Sequence, residues 1–330
     1  MSAANAGGNP KDNPKDNPRG HPAASAAESG TVVAVFGRRY EVEAGAGPLR
    51  GQHFDCVTRG KKHIAACGDQ VQFAVTGPGQ AVIDQVLPRR NYLERSDAYK
   101  QKGIAANVDQ VLVLAAVEPR ASEEFITRVL LIAHAAGVPA LIALNKTDLA
   151  GSAGKNSARE RLAMFEAAGY EVIEMKAKPR DGTAPSAQEA LLERVSGRCT
   201  VLVGQSGMGK SSLINALVPN AAAVIGELSA ALKAGKHTTT FSRLYRIDDS
   251  STIIDCPGMQ EVGIHHLSHS DLEAGFPEFA PYLGTCRFAN CRHLHEPGCP
   301  VRAHAGSGQI NRERLALFQK LLAETGASSQ

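Results

Sequence analysis

Two patterns of apolar and polar residues divide the chain. Between residues 31 and 90 the apolar residues fall in short runs, separated by turns such as Gly47-Pro48 and Gly77-Pro78-Gly79. Such runs predict β-strands, and five of them in about sixty residues predict a small β-barrel, with the oligonucleotide-binding (OB) fold as the leading candidate. The predicted strands are Thr31–Phe36, Arg39–Glu43, Gln52–Thr58, Gln70–Val75 and Ala81–Leu87.

From about Asp109 onward, apolar strands alternate with helical stretches. This alternation is typical of a parallel sheet that helices cover on both faces. The predicted strands are Asp109–Val117, Pro139–Leu144, Tyr170–Met175, Cys199–Val203 and Thr252–Ile254. The predicted helices are Glu123–Ala136, Ala158–Ala168, Ser186–Val195 and, after a less regular segment that follows Pro257, Ile310–Ala323.

The N-terminal segment repeats Asn9-Pro10-Lys11-Asp12 as Asn13-Pro14-Lys15-Asp16. Proline at every fourth residue blocks helix formation, and the apolar residues are too few to offset the entropy of ordering. We therefore expect residues 1–30 to be a disordered tail, either a charged tether for a large partner or a solvated segment with no specific role. The other predicted units are an OB-fold barrel over 31–90, an α/β domain over 91–262 and a mainly α C-terminal domain over 263–330.

Composition limits the classes of function. Hydrophobic residues make up 43% of the 330 residues and charged residues 21%, as in ordinary globular proteins. The longest apolar run, Val111–Val117, is far shorter than the ~18 residues of a membrane-spanning helix, and the N-terminus lacks the apolar core of a secretion signal, so we expect a cytoplasmic protein with no membrane partner. Seven cysteines in such a chain disfavour a disulfide scaffold. Nothing in the sequence indicates oligomerisation, so a monomer is the default expectation.

The charge distribution is compatible with a nucleic-acid partner but does not require one. The net charge is only +3, aromatic residues make up 5% and tryptophan is absent, which disfavours a site built on base stacking. Basic pairs such as Arg38-Arg39 and Lys61-Lys62 lie near the predicted barrel turns. They are placed either to grip phosphates or simply to face solvent.

The strand Cys199–Val203 runs directly into a glycine-rich loop and then a helix. The loop fits the pattern G-x-x-x-x-G-K-[ST] in its required context, and it comprises Gly204, Gln205, Ser206, Gly207, Met208, Gly209, Lys210 and Ser211. Its glycines let consecutive backbone N–H groups point at one phosphate, and the start of the helix adds positive potential. We expect Lys210 to reach the β- and γ-phosphates of a nucleotide and Ser211 to hold Mg²⁺.

A second nucleotide motif, Asn145-Lys146-Thr147-Asp148, follows the strand Pro139–Leu144. The Asp148 carboxylate can accept two hydrogen bonds from the N1–H and N2–H₂ groups of guanine, whereas adenine would leave a buried acid unmatched. We expect Asn145 to support the base and its loop, and the Lys146 stem to lie along the ring. Together with the glycine-rich loop, this motif predicts a site for GTP and GDP.

In these motifs the chain resembles the translation-factor-related GTPases, but the guanine motif precedes the phosphate loop instead of following it. This order indicates a circular permutation. The permutation is physically harmless because both motifs follow parallel strands and meet at the same edge of the sheet. The next base-facing loop reads Lys176-Ala177-Lys178 where that family usually has Ser-Ala-Lys, and the backbone N–H of Ala177 can still bond the base oxygen.

Two further segments have the residue types that sense the γ-phosphate. Asp255-Cys256-Pro257-Gly258 matches D-x-x-G, in which the Asp senses Mg²⁺ and the Gly N–H senses the γ-phosphate. Within Gly235–Thr240, we choose Thr239 to complete the Mg²⁺ shell. Met259 stands where small GTPases have a water-orienting Gln, so unassisted hydrolysis should be slow. His237 is the candidate catalytic residue, and stabilisation of its own loop is the alternative role.

Three cysteines and one histidine lie within fourteen residues near the C-terminus, namely Cys286, Cys291, His293 and Cys299. Three thiolates and one imidazole in a tetrahedral array form a structural Zn²⁺ site with no open position for catalysis. His295 and His304 are competing ligands that spacing alone does not exclude. Isolated reduced cysteines are the alternative interpretation.

A β-barrel, a permuted GTPase and a Cys₃His segment in this order resemble the ribosome small subunit-dependent GTPase A family (RsgA, also called YjeQ), over about residues 31–325. The resemblance implies a cytoplasmic GTP hydrolase that binds the 30S ribosomal subunit and its 16S rRNA. It also implies that the bound subunit stimulates hydrolysis and that the protein acts late in 30S maturation.

Three other functions stay open at this point. Asn145–Asp148 disfavours a P-loop kinase acting on a small molecule. Met259 is compatible with a non-enzymatic RNA-binding module whose nucleotide site is structural. A GTPase that acts on tRNA or on translation itself would have the same motifs. Because the chain after Gly258 leads directly to the Cys₃His segment, a γ-phosphate-dependent shift there could move the C-terminal domain.

Overall fold

The computed structural model describes residues 27–59, 64–96, 100–149, 152–177, 188–218, 242–256 and 262–325. The strands are β1 Glu28–Phe36, β2 Arg39–Ala44, β3 His53–Thr58, β4 Gln70–Gly77, β5 Gln80–Val86, β6 Tyr92–Ser96, β7 Gln101–Ala106, β8 Gln110–Ala116, β9 Ala140–Asn145, β10 Glu171–Glu174, β11 Cys199–Val203, β12 Ser242–Arg246 and β13 Thr252–Asp255. The helices are α1 Glu123–Ala135, α2 Ser152–Ala167, α3 Gln188–Val195, α4 Lys210–Leu217, α5 His269–Ala274, α6 Pro300–Ser307 and α7 Arg312–Glu324.

The first five strands close into a barrel. β1 pairs antiparallel with β2 and β4, β2 pairs with β3, and β5 links β3 to β4. Strand alternation turns side chains such as Val32, Val42 and Phe73 inward, where they form an apolar cluster of their own. The predicted barrel is confirmed. Its first strand begins at Glu28, three residues before the predicted start, and most of the predicted tail lies outside the described residues.

The central sheet has the order β10-β9-β8-β11-β13-β12, in which β12 alone runs antiparallel to its neighbour. All residues of β8 are buried, as expected of a strand that helices cover on both faces. The predicted α/β domain is confirmed. The strands that precede the predicted nucleotide motifs end at Asn145, Val203 and Asp255. Because these strands are parallel, all three motifs begin at the same edge of the sheet.

The barrel and the central sheet form one continuous sheet of eleven strands, because β1 also pairs with β12. A separate hairpin of β6 and β7, which the sequence pattern did not predict, lies between them in the chain. A bridge between Cys67 and Ala105 connects this hairpin to the barrel. Gly68 adjoins the bridge with a φ of +91°, and a Cβ at this position would collide with the carbonyl oxygen of Ala106.

The C-terminal segment is mainly helical, as predicted. A capping box between Ser268 and Asp271 begins α5, and the Asn311 side chain caps the first turn of α7. Phe276 and Phe279 stack on each other, and Phe318 meets both rings edge-on. All three belong to the same apolar cluster as the core of the central sheet. The predicted division of the chain after residues 30, 90 and 262 stays a prediction.

Candidate nucleotide and metal sites

Asn145 joins three loops of the predicted nucleotide site. Its side chain is buried at the end of β9. Nδ2 donates to the carbonyl oxygen of Met208 at 2.9 Å, and Oδ1 accepts from the backbone N–H of Ala177 at 2.9 Å. A Cβ at Gly209 would collide with Nδ2, so only glycine permits this close approach. The guanine motif, the phosphate loop and the Ala177 loop therefore meet at one amide.

The phosphate loop is curled around the ammonium group of Lys210. Nζ donates to the carbonyl oxygens of Gly204 at 2.6 Å and Gln205 at 3.1 Å. Gly207 and Gly209 have φ angles of +80° and +101°, which lie in the left-handed region that favours glycine. Burial lowers the pKa of Lys210, and the nearby negative charge of Asp255 opposes that shift. The loop thus keeps a cation beside backbone N–H groups at the start of α4.

The guanine motif is braced from two sides. Lys146 has a φ of +61°, and its Nζ donates to the carbonyl oxygen of Glu118 at 2.9 Å. The hydroxyl of Thr147 donates to the carbonyl oxygen of Met175 at 3.3 Å. Asp148 is half-buried in the same turn. The loops that follow β8 and β10 thereby fix the loop that follows β9.

Asp255 has the chemistry of a Mg²⁺ ligand. Its Oδ1 is buried and has no hydrogen-bond partner among the described residues. Burial raises the pKa of this carboxyl to about 6, against the pull of Lys210. Mg²⁺ prefers oxygen ligands and is commonly bound through one or two carboxylates together with substrate phosphates. The orphaned oxygen therefore fits this cation, with the hydroxyl of Ser211 at the start of α4 as the second predicted ligand.

Several predicted residues of the hydrolytic site lie outside the described residues. They are His237, Thr239, Gly258 and Met259. Cys256 is described, and burial raises the pKa of its thiol to about 12, so the thiol stays protonated at neutral pH. A protonated thiol is a poor nucleophile, so the buried Cys256 has a packing role.

The four predicted ligands near the C-terminus form one cluster. The Sγ atoms of Cys286, Cys291 and Cys299 and a ring nitrogen of His293 all lie within 4.8 Å of one another. His293 Nδ1 is 3.2 Å from Cys299 Sγ and 3.6 Å from Cys291 Sγ. Nε2 of the same ring lies 2.8 Å from Oε1 of Glu273, which fixes the ring orientation. This donor set suits a metal ion that prefers thiolate and imidazole, such as zinc.

The two competing histidines are not part of this cluster. His304 stacks on Tyr282, with ring centroids 4.0 Å apart, and its Nδ1 bonds Gln309. His295 is exposed. The structure therefore decides between the alternatives that ligand spacing had left open.

Comparisons with known proteins agree with this geometry. A model of the RsgA GTPase family matches residues 86–265. The small ribosomal subunit biogenesis GTPase RsgA of Ralstonia nicotianae is 47% identical over 307 residues, which cover 92% of this chain and 93% of the relative. The chain belongs to the RsgA GTPase family. The RsgA of Paraburkholderia xenovorans is 46% identical and covers 91% of this chain and 94% of its own length.

Solved structures extend the likeness to the whole RsgA-family fold. YjeQ from Thermotoga maritima aligns with a TM-score of 0.67 at 27% identity, over 90% of this chain and 98% of that protein. YloQ, described as a circularly permuted GTPase, aligns with a TM-score of 0.64 at 20% identity, over 94% and 99% of the two chains. The permuted GTPase fold is thereby confirmed. No described helix combines the length and the apolar character that a membrane crossing needs.

Sequence reasoning missed two supporting contacts of the RsgA-family sites. Glu273, which holds His293, lies twenty residues away in the chain, and no local pattern marks it. Gln205 was assigned to the phosphate loop, but its Oε1 also accepts from the backbone N–H of Ser122 at 2.9 Å. Ser122 caps α1, so this bond connects the phosphate loop to the helix after β8. A helix cap at Ser122 could be predicted from the Glu123 and Glu124 that follow it. The bond from Ser122 to Gln205 could not, because the two residues are far apart in the chain.

Proposed function

We propose that this RsgA-family GTPase hydrolyses GTP during biogenesis of the small ribosomal subunit and that the 30S subunit stimulates the hydrolysis. The relatives from Ralstonia and Paraburkholderia are named as GTPases of small ribosomal subunit biogenesis. The observation that carries the proposal is the Asn145 amide, which bonds both Met208 and Ala177. This contact supports one shared cleft for the base-reading residues and the phosphate loop.

In this cleft each part of the nucleotide has a partner. Asp148 accepts the N1–H and N2–H₂ groups of guanine. The backbone N–H of Ala177, the predicted partner of the base oxygen, donates to Asn145 Oδ1 in the structure, so it would have to leave Asn145 to bond the base. The N–H groups from Gly204 to Ser211 surround the phosphates, and Lys210 supplies the positive charge.

Ser211, Thr239 and Asp255 are the proposed Mg²⁺ ligands, and the Gly258 N–H senses the γ-phosphate. When bound there, Mg²⁺ would neutralise negative charge that develops on the phosphates. Because a methionine side chain cannot hold a water, we assign the orientation or deprotonation of the attacking water to His237. Slow hydrolysis by the isolated protein follows from the same substitution.

We further propose that Cys286, Cys291, His293 and Cys299 hold one Zn²⁺. With all four positions filled by protein, the ion has a structural role. In the same proposal the protein acts in the cytoplasm as a monomer, and the surface of the 30S subunit that it binds includes 16S rRNA.

The test is GTP turnover by the purified chain against increasing concentrations of 30S subunits. We expect the rate to rise by about 10³-fold or more, the scale on which partner proteins stimulate GTPases. Parallel measurements with 70S ribosomes and with tRNA distinguish action on translation. Equal turnover with and without 30S subunits, or stimulation by tRNA alone, would contradict the proposal.

A variant that changes which base is bound shows whether the measured turnover comes from this protein or from a contaminating GTPase. In Asp148→Asn the amide no longer accepts the N1–H and N2–H₂ pair, but it can donate to the C2 carbonyl of xanthine. We expect the affinity for GTP to fall by about 10²–10⁴-fold, and XTP to become the preferred substrate under 30S stimulation. A variant that keeps GTP and ignores XTP would show that Asp148 does not read the base.

A further inference from the structure

A row of residues crosses the seam between the barrel and the central sheet. Arg243 of β12 lies opposite Ala34 of β1 on one side and opposite Asp255 of β13 on the other. Ala34 in turn lies opposite Glu41 of β2. Directly opposite residues on neighbouring strands place their side chains on the same face. Glu41, Ala34, Arg243 and Asp255 therefore share one face, with Asp255 at the nucleotide end of the row.

Within this row the Arg243 guanidinium is turned toward the barrel. It passes the small, fully buried Ala34 side chain and meets Glu41 with both terminal nitrogens, Nη1 to Oε2 at 3.1 Å and Nη2 to Oε1 at 3.3 Å. The side chains of Arg243 and Glu41 are 15% and 23% exposed. His53 Nδ1 approaches Glu41 Oε1 at 2.7 Å. A two-pronged pair of this kind fixes the direction of the arginine as well as its charge.

On the other side of Arg243 lies an unsatisfied carboxylate. Oδ1 of Asp255 is buried and, within the part of the chain that the structure describes, has no hydrogen-bond partner. Opposite residues on neighbouring strands have Cβ atoms about 5 Å apart, so an arginine side chain at position 243 is long enough to reach it. A buried carboxylate attracts a nearby cation strongly, because the low dielectric screens the interaction little. Glu41 and Asp255 are thus alternative partners for one guanidinium.

We propose that Glu41 of the barrel is a positioning residue for the metal site: it holds Arg243 on the barrel side of the seam and so leaves Asp255 available to Mg²⁺. This inference rests on the proposed function, in which Asp255 binds the nucleotide-associated Mg²⁺. Without Glu41, Arg243 turns to Asp255 and competes with the metal ion. The barrel thereby sets the Mg²⁺ affinity of a site to which it contributes no ligand.

The experiment measures equilibrium binding of a fluorescent, non-hydrolysable GTP analogue by the full chain over a range of MgCl₂ concentrations. The variants are Glu41→Gln, Arg243→Gln and the double variant. We expect Glu41→Gln to raise the Mg²⁺ concentration for half-maximal binding by about tenfold, the usual scale of coupling between two sites. Arg243→Gln should stay within about twofold of the wild type, and the double variant should return there, because no guanidinium is left to compete.

Glu43→Gln is the matched control. Glu43 pairs with Arg246 across the same seam, but Arg246 lies opposite Thr252, at the other end of β13 from Asp255. This variant should leave the Mg²⁺ dependence unchanged. Wild-type behaviour of Glu41→Gln would overturn the inference. So would equal weakening by Glu41→Gln and Arg243→Gln without recovery in the double variant, since that pattern reports only a lost ion pair. A wild-type protein with no Mg²⁺-dependent nucleotide binding would instead overturn the proposed function.

Discussion

At the barrel junction, β1 and β12 share two register pairs, and the Arg243–Glu41 ion pair crosses the seam. The barrel keeps an apolar cluster separate from that of the central sheet. At the C-terminal junction, by contrast, Phe276 and Phe318 belong to the same apolar cluster as the sheet, and the Arg314 side chain is completely buried there. One junction is a seam between two cores, crossed by ion pairs and by Val35, which packs against both clusters. The other junction is part of a single core.

The contrast indicates which part of the molecule can change orientation at a low free-energy cost. Ion pairs that remain partly exposed contribute about 0–1 kcal/mol each, whereas apolar surface contributes about 25 cal/mol per Å² buried. A shift of the C-terminal segment after Gly258 would have to carry α1 along or open the shared core. We therefore expect the barrel to change orientation more readily than the C-terminal segment when the nucleotide changes.

The largest expected effect comes from breaking the metal cluster. In Cys291→Ser one thiolate is lost, and in small zinc domains metal binding supplies about 10 kcal/mol or more of the folding free energy. We expect zinc content to fall well below one ion per chain. Hydrogen exchange should show lost protection over α5–α7 and unchanged protection in the barrel, because the barrel core is separate.

His304→Asn is the matched control for that experiment. His304 is a histidine near the cluster that stacks on Tyr282 and is not among the clustered ligands. The variant should keep its full zinc content. Zinc loss in His304→Asn with retention in Cys291→Ser would show that the ligand set is wrong. Loss of protection in both the barrel and the C-terminal segment would show that the two cores are not independent.

The next largest effect comes from the buried ion pair of the shared core. Arg314 Nε donates to Glu278 Oε1 at 2.7 Å, Nη1 donates to Thr127 of α1 at 3.4 Å, and the guanidinium lies 4.3 Å from the Phe276 ring. Arg314→Met leaves the carboxylate of Glu278, whose side chain is only 11% exposed, without its partner, which costs up to about 3–5 kcal/mol. Urea unfolding followed through C-terminal reporters measures the loss.

The double variant Arg314→Met/Glu278→Leu distinguishes the effect of the ion pair on stability from the effect of side-chain packing. Replacing a buried ion pair by apolar groups of similar volume is often neutral or stabilising, so we expect stability within about 1 kcal/mol of the wild type or above it. If the double variant were as unstable as Arg314→Met, the contacts with Thr127 and Phe276, and not the unpaired charge, would hold the junction together.

Sequence periodicity predicted most strands well because apolar alternation and turn residues are local signals. β11 has the predicted bounds, Cys199–Val203. Helix α2 begins at Ser152, six residues before the predicted Ala158. Its first turns include the exposed residues Asn156 and Ser157, which give no apolar period. The β6–β7 hairpin was missed because its pairing with the barrel loop and with Ile264 depends on contacts distant in the chain.

The candidate sites divide in the same way. The ligand cluster at Cys286–Cys299 and the phosphate loop are contiguous in sequence, so their residue types were readable in advance. The Arg314–Glu278 and Arg243–Glu41 pairs join residues separated by 36 and 202 positions. A single sequence does not show which positions of two distant strands or helices will face each other. A charged residue in such a segment is therefore most simply interpreted as a solvent-exposed side chain. Only the fold shows which charges are buried and which carboxylate each arginine faces.

The smallest expected effect tests the seam between the barrel and the central sheet. Arg246 and Glu43 pair across the barrel seam with 51% and 18% of their side chains exposed, so Arg246→Gln should cost about 0–1 kcal/mol in urea unfolding. That cost should disappear at 1 M NaCl, where the Debye length is only about 3 Å. Arg39→Gln removes an exposed pair that lies wholly within the barrel and should behave alike. A salt-independent loss in Arg246→Gln as large as that of Arg314→Met would mean that the seam is as rigid as the shared core, and the barrel would then have no advantage as the mobile part.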